Sequence, residues 1–166
     1  LDISGSMDQT PEGAAGPSKK PKIDVARTEL LGFVLALEAT DRFNLIFFNH
    51  EVVPWQGKMV EASESTKRRA KKWVEDQMPV GGTNISDSLH HGFSIASSVT
   101  GRANLDTLFF LTDGKPTAGR VQKPEKILAN FREWNKVAKL TIHTIGVGRE
   151  HDVEFMKELA RIGDGR

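Results

Sequence analysis

Three short apolar runs constrain this chain more than anything else in it. "FNLIFF" (residues 43–48), "TLFFLT" (107–112) and "TIHTIGVG" (141–148) are nearly continuous in hydrophobicity. That is the pattern of strands buried on both faces of a sheet. Between them the period changes to that of helices. Ile23, Ala26, Leu30, Phe33, Val34 and Leu37 fall on one stripe, and "SESTKRRAKKWVEDQ", "KPEKILANFREWNKVAK" and "DVEFMKELARI" read as further helices. Ser63 is placed as an N-cap and Pro124 in a first helical turn. "VGGTNIS" reads as a turn leading into a helix that runs to about Ser98. Strands alternating with helices imply right-handed crossovers and a mostly parallel sheet flanked by helices on both faces. "EVVPW" is assigned to one antiparallel edge strand, because Pro54 cannot donate to an interior ladder.

In such sheets a ligand sits beyond the carboxyl ends of the strands, where the strand order reverses. Three turns reach that edge: "DISGS", "GGTN" and "LTDG". They bring Asp2, Ser4, Ser6, Thr83 and Asp113, all oxygen donors, with no imidazole or thiolate among them. Oxygen-only sets suit hard cations such as magnesium, whereas softer metals call for nitrogen or sulfur. The alternation in "DISGS" lets one short turn aim three side chains together. Gly81 and Gly82 remove bulk where the backbone at Thr83 approaches closely. Thr83 is also expected to cap the helix that follows.

These residues resemble the metal-ion-dependent adhesion site of the von Willebrand factor type A domain family, whose pattern is D-x-S-x-S, a distant Thr and a distant Asp. "KIDVARTELLGFV" is similar to the family's first helix, "FNLIFF" to its second strand and "TIHTIGVG" to its fifth. The resemblance runs over nearly the whole chain. It implies a single α/β domain across residues 1–166, a Rossmann-like three-layer sandwich with one Mg2+ at the top of its sheet, Mn2+ and Ca2+ being the alternatives. Ser4, Ser6 and Thr83 would supply hydroxyls, and Asp2 and Asp113 would contact the ion directly or through water. The implied partner is a protein presenting an Asp or Glu carboxylate. Against the family pattern only Leu1 precedes the first aspartate, and the chain stops at "RIGDGR", so both ends are expected to be trimmed from a larger protein. The loop from Asp8 to Pro21 is longer than usual and is a candidate for partner selection.

A formal charge of +1, from 23 basic and 22 acidic residues, gives no support for nucleic acid as a partner, and "KRRAKK" reads as a solvated helix face. Zero cysteines exclude disulfides, thiolate metal sites and a cysteine nucleophile. No apolar run approaches the roughly 18 residues that span a bilayer, so no membrane insertion is expected. His90 and His91 are adjacent and diverge on a helix; His143 is expected as a hydrogen-bonded core residue. "GVGREH" lacks the third glycine of a dinucleotide loop, and no GxSxG elbow occurs. A non-enzymatic binding module is therefore expected. The alternative from another class is a Mg2+-dependent phosphatase or phosphotransferase with Asp2 as nucleophile, for which Lys115 beside Asp113 is the only further feature.

Overall fold

The computed structural model describes residues 1–10, 20–96, 105–149 and 151–166, with the side chain of residue 96 excepted. Most of the Asp8–Pro21 loop, the candidate for partner selection, lies outside the described residues (11–19).

The central strands are β2 (Ile46–Phe48), β3 (Val52–Pro54), β5 (Thr107–Thr112) and β6 (Thr141–Gly146). β5 and β6 pair in parallel from Thr107↔Thr141 to Thr112↔Gly146, and β3 pairs antiparallel with β2. Leu1–Ile3 joins the two pairs. Ile3 N–H donates to the Phe48 carbonyl and Asp2 N–H to the Leu111 carbonyl, both at 2.8 Å, and Phe48 N–H returns to Leu1 at 3.1 Å. Gly163–Arg166 lies along the far side of β6, through bonds from Ile142 N–H to Gly163 and from Thr144 N–H to Arg166. A Cβ at Gly165 would overlap the Ile142 carbonyl, which is why glycine stands at this close approach. Pro54 is exposed on β3, the antiparallel edge expected of it.

Side chains alternate across the sheet with the period of two that strands impose. Phe47 and Leu111 face one core with Ile23, Ala26, Val34, Ala70 and Val74. Phe48, Phe110 and Ile142 face the other with Ile85, Leu89, Ile127, Phe131, Phe155 and Leu159. The first core is covered by α1 (Lys22–Ala36) and α2 (Glu64–Glu75). The second is covered by α3 (Ile85–Ala96), α4 (Pro124–Ala138) and α5 (Val153–Ile162). The result is the expected three-layer α/β sandwich.

Local signals explain most helix boundaries. Ser63 accepts from Thr66 N–H and caps α2, Pro124 opens α4, and Asp152 accepts from Phe155 N–H to cap α5. The cap of α3 corrects the expectation for Thr83. Asn84 takes that role, its Oδ1 accepting from Asp87 N–H at 3.2 Å. Thr83 is thereby left outside the helix. "KRRAKK" is also not wholly a solvated face. Lys67, which begins it, is only 6% exposed and donates to the Leu35 and Leu37 carbonyls at the end of α1. His143 is half-buried, its ring stacked on Phe109 at 5.2 Å, rather than enclosed in the core.

A small pairing escapes the sequence patterns altogether. β1 (Arg42–Phe43) and β4 (Val60–Glu61) form a two-residue antiparallel ladder beside β2 and β3. Below Leu1, the lower ends of β2 and β5 flank a cavity of about 760 Å3 lined by Phe33, Val34, Phe43, Leu45, Leu108 and Phe109 among others. Among the described residues, no helix is long and apolar enough to cross a membrane.

Candidate metal centre

The five candidate residues occupy the carboxyl edge of the sheet. Asp2 follows Leu1 in the central position, Asp113 follows β5 beside it, and Thr83 precedes α3. α1 leaves the central segment on one face of the sheet and α3 leads into β5 from the other. This crevice is therefore the switch point where the crossovers part.

The Asp2 turn is held from both neighbouring strands. Its carboxylate is fully buried; Oδ1 accepts from Ser4 N–H at 2.8 Å and Oδ2 from the Thr112 hydroxyl at 2.5 Å. After Ser4 the chain enters a 3-10 turn, Gly5–Asp8, whose Met7 is buried under the site. That turn aims the Ser6 hydroxyl back toward Ser4. The two Oγ atoms lie 3.2 Å apart, and Ser6 Oγ donates to Asp113 Oδ1 at 2.8 Å. The other oxygen of Asp113 accepts from the buried Lys22 ammonium at 2.9 Å.

The Thr83 turn is docked on the same cluster. Val80 N–H donates to Ile3 and Gly5 N–H to Gly81, both at 2.9 Å. Gly81 has φ +76°, and a Cβ there would run into the His50 ring, so the turn requires glycine. Thr83 itself is fixed from the far side: its N–H donates to Thr117 Oγ1 at 2.8 Å, and its carbonyl accepts from Thr117 and Ala118 N–H. Its hydroxyl faces the Asp113 turn, 3.7 Å from where a Cβ on Gly114 would stand. All five candidates are thus gathered in one crevice. Thr112, Thr117 and Lys22, which no sequence pattern had singled out, hold them there.

The electrostatics follow from this burial. Desolvation pushes the Asp2 carboxyl above the ordinary carboxylate range; the hydrogen bonds from Thr112 and Ser4 pull the other way, and nearby Asp113 adds to the rise. Among the described residues no three histidine, cysteine or acidic side chains meet as a metal cluster. The donor set here is two carboxylates and three hydroxyls, the hard-oxygen chemistry that suits a magnesium-like ion. His90 lays its ring edge-on to Trp134 at 5.0 Å, while the Nε2 of His91 is buried without a partner.

The sequence profile described as "von Willebrand factor type A domain" matches residues 15–166. The chain belongs to the von Willebrand factor type A domain family. Among curated relatives, this type A domain is 29% identical over 170 residues to the inter-alpha-trypsin inhibitor heavy chain H2 of Sus scrofa. It is 30% identical over 173 residues to heavy chain H1 of the same species. These alignments cover 99% and 100% of the chain but only 17% and 18% of the relatives' length. Among solved structures, a von Willebrand factor type A protein from Catenulispora acidiphila superposes with a TM-score of 0.79 at 20% identity, over 99% of this chain and 35% of that one. Proximal thread matrix protein 1 of the mussel byssus, with a zinc-occupied MIDAS motif, gives 0.70 at 19% identity over 96% and 39%. The manganese-loaded TRAP protein of Plasmodium vivax gives 0.67 at 15% identity over 97% and 60%. At these identities the structural likenesses speak for the type A fold.

Proposed function

We propose that this type A domain is a metal-dependent protein-binding module in which Asp2, Ser4, Ser6, Thr83 and Asp113 hold one divalent cation. The observation that carries the reading is the continuous chain Ser4 Oγ, Ser6 Oγ, Asp113 Oδ1, closed on its other sides by Asp2 and by the Thr83 turn. Ser4, Ser6 and Thr83 supply neutral hydroxyls, and Asp2 and Asp113 act on the ion directly or through water. Magnesium is the first choice, with manganese or calcium as substitutes; two relatives of this fold are described with zinc and manganese. A bound cation supplies a Lewis-acidic position open toward solvent, because Gly5 is exposed and Ser6 only half-buried on that side. An acidic side chain of a partner protein completes it.

The same geometry favours capture over turnover. A nucleophilic aspartate must present an oxygen to the phosphorus it attacks. Asp2 has no exposed surface, and each of its oxygens already accepts a hydrogen bond. Calorimetric titration with Mg2+ and with Mn2+ tests the reading. Saturable 1:1 binding in the wild type, lost in Asp113→Asn, is expected; binding that survives this substitution would remove the site from these residues. Steady hydrolysis of an aryl phosphate, abolished in Asp2→Asn, would instead establish the phosphatase alternative.

A further inference from the structure

Lys22 opens α1, and its N–H donates to the Gln9 carbonyl at 2.9 Å, so the helix start is tied to the end of the Ser4–Ser6 turn. Its side chain is buried with the metal centre. The ammonium lies 2.9 Å from Asp113 Oδ2, with the two side chains 3% and 0% exposed. The stem passes over Gly148, where an added Cβ would come within 3.0 Å of Lys22 Cε, so the loop after β6 closes over the lysine. The opposite oxygen of the same carboxylate accepts from Ser6. One buried carboxylate is therefore divided between a fixed cation of the chain and the hydroxyls assigned to the exchangeable one.

We propose that Lys22 sets the charge of the metal centre. Through Oδ2 it balances the buried Asp113 carboxylate when no divalent ion is bound, and it opposes the incoming divalent ion. This rests on the metal-binding reading above. Ammonium and metal are like charges drawing on one carboxylate in a dry setting, so each weakens the other's hold on it. A buried carboxylate stripped of its cation is destabilising until another cation arrives. Removing the lysine charge should consequently do two opposite things: loosen the metal-free fold and tighten the metal.

The experiment compares wild type with Lys22→Met, which retains an apolar stem. It uses Mn2+ calorimetry, and thermal melts in chelator and in saturating Mn2+. The expected result is a roughly tenfold tighter Mn2+ affinity, the equivalent of one pKa unit of charge interaction. It comes with a lower melting point in chelator and a difference from wild type that mostly closes when Mn2+ is added. If Lys22→Met folds only when Mn2+ is present, the inference is supported in its strongest form. Unchanged or weaker Mn2+ affinity would overturn it, as would an equal loss of melting temperature with and without Mn2+ or a failure to fold with Mn2+; each leaves Lys22 without the charge-setting role. Absence of Mn2+ binding by the wild type would be a different failure, since it removes the metal-binding reading on which the inference stands.

Discussion

Asp2 carries the most consequential local chemistry in the molecule. Its carboxyl is raised from the ordinary value chiefly by desolvation, so the folded state takes up a proton at a pH where the unfolded chain has already lost it. For a raised acid the stabilising contribution is complete below the unfolded value and is lost as pH rises through the folded one. Metal-free protein should therefore gain stability from this group on acidification toward the carboxylate range. Metal affinity should fall over the same interval, because the ion must displace that proton. Mn2+ titrations at neutral pH and at roughly pH 5 check the second sign. Thr112→Val removes the hydroxyl that donates to Asp2 at 2.5 Å within a site of no exposure. It should cost about 1–3 kcal/mol in denaturant unfolding and weaken the metal further. The gathering of the five candidate residues at one edge of the sheet was legible because Asp113 closes an apolar run, Thr83 follows a glycine pair, and Asp2, Ser4 and Ser6 alternate in one short turn. Thr112 was hidden inside its run, and Lys22 meets Asp113 across 91 positions of sequence, a contact that no local pattern encodes.

At the scale of elements, helix ends show where local chemistry decides and where tertiary contacts do. Ser63 was readable as a cap, and Ser63→Ala should destabilise the domain by about 1 kcal/mol in a thermal melt. Lys67 was not readable. In sequence it is one of five basic residues in a six-residue run, yet it is buried with its ammonium on the Leu35 and Leu37 carbonyls at 3.2 and 2.6 Å. It caps the end of a neighbouring helix and answers that helix's dipole. Lys67→Met keeps the stem and orphans those carbonyls, for an expected loss of about 1–3 kcal/mol; a comparable change at exposed Lys71 should be nearly silent in the same melt. Thr83 was assigned a cap that Asn84 performs, since both residue types suit the position and only the docking of Thr83 on Thr117 separates them. The β1–β4 pairing, two residues a side and joined across a long excursion, is too short for any periodicity to announce.

The whole molecule divides into two cores separated by one sheet, and the crevice belongs to both, since Asp2, Asp113 and Thr83 are presented by segments packed on different faces. Metal occupancy should thus stabilise the domain as a unit. At a free ion concentration about a hundredfold above the dissociation constant the gain is about 2.7 kcal/mol, and chelator should reverse it. That architecture was legible because three apolar runs and the intervening helical stripes agree with each other. The lower half of the sheet was not legible. There Phe33 and Phe109 are 37% and 40% exposed and stack at 4.7 Å beside the 760 Å3 cavity. An aromatic-walled hollow of this kind gives hydrophobic fluorophores a place to lodge in the fully native state. Melts followed with such dyes should begin bright and show a shallow rise or a fall on heating, whereas tryptophan emission or circular dichroism should register one sharp transition. A high starting signal from this domain would then reflect its native surface, not misfolded material.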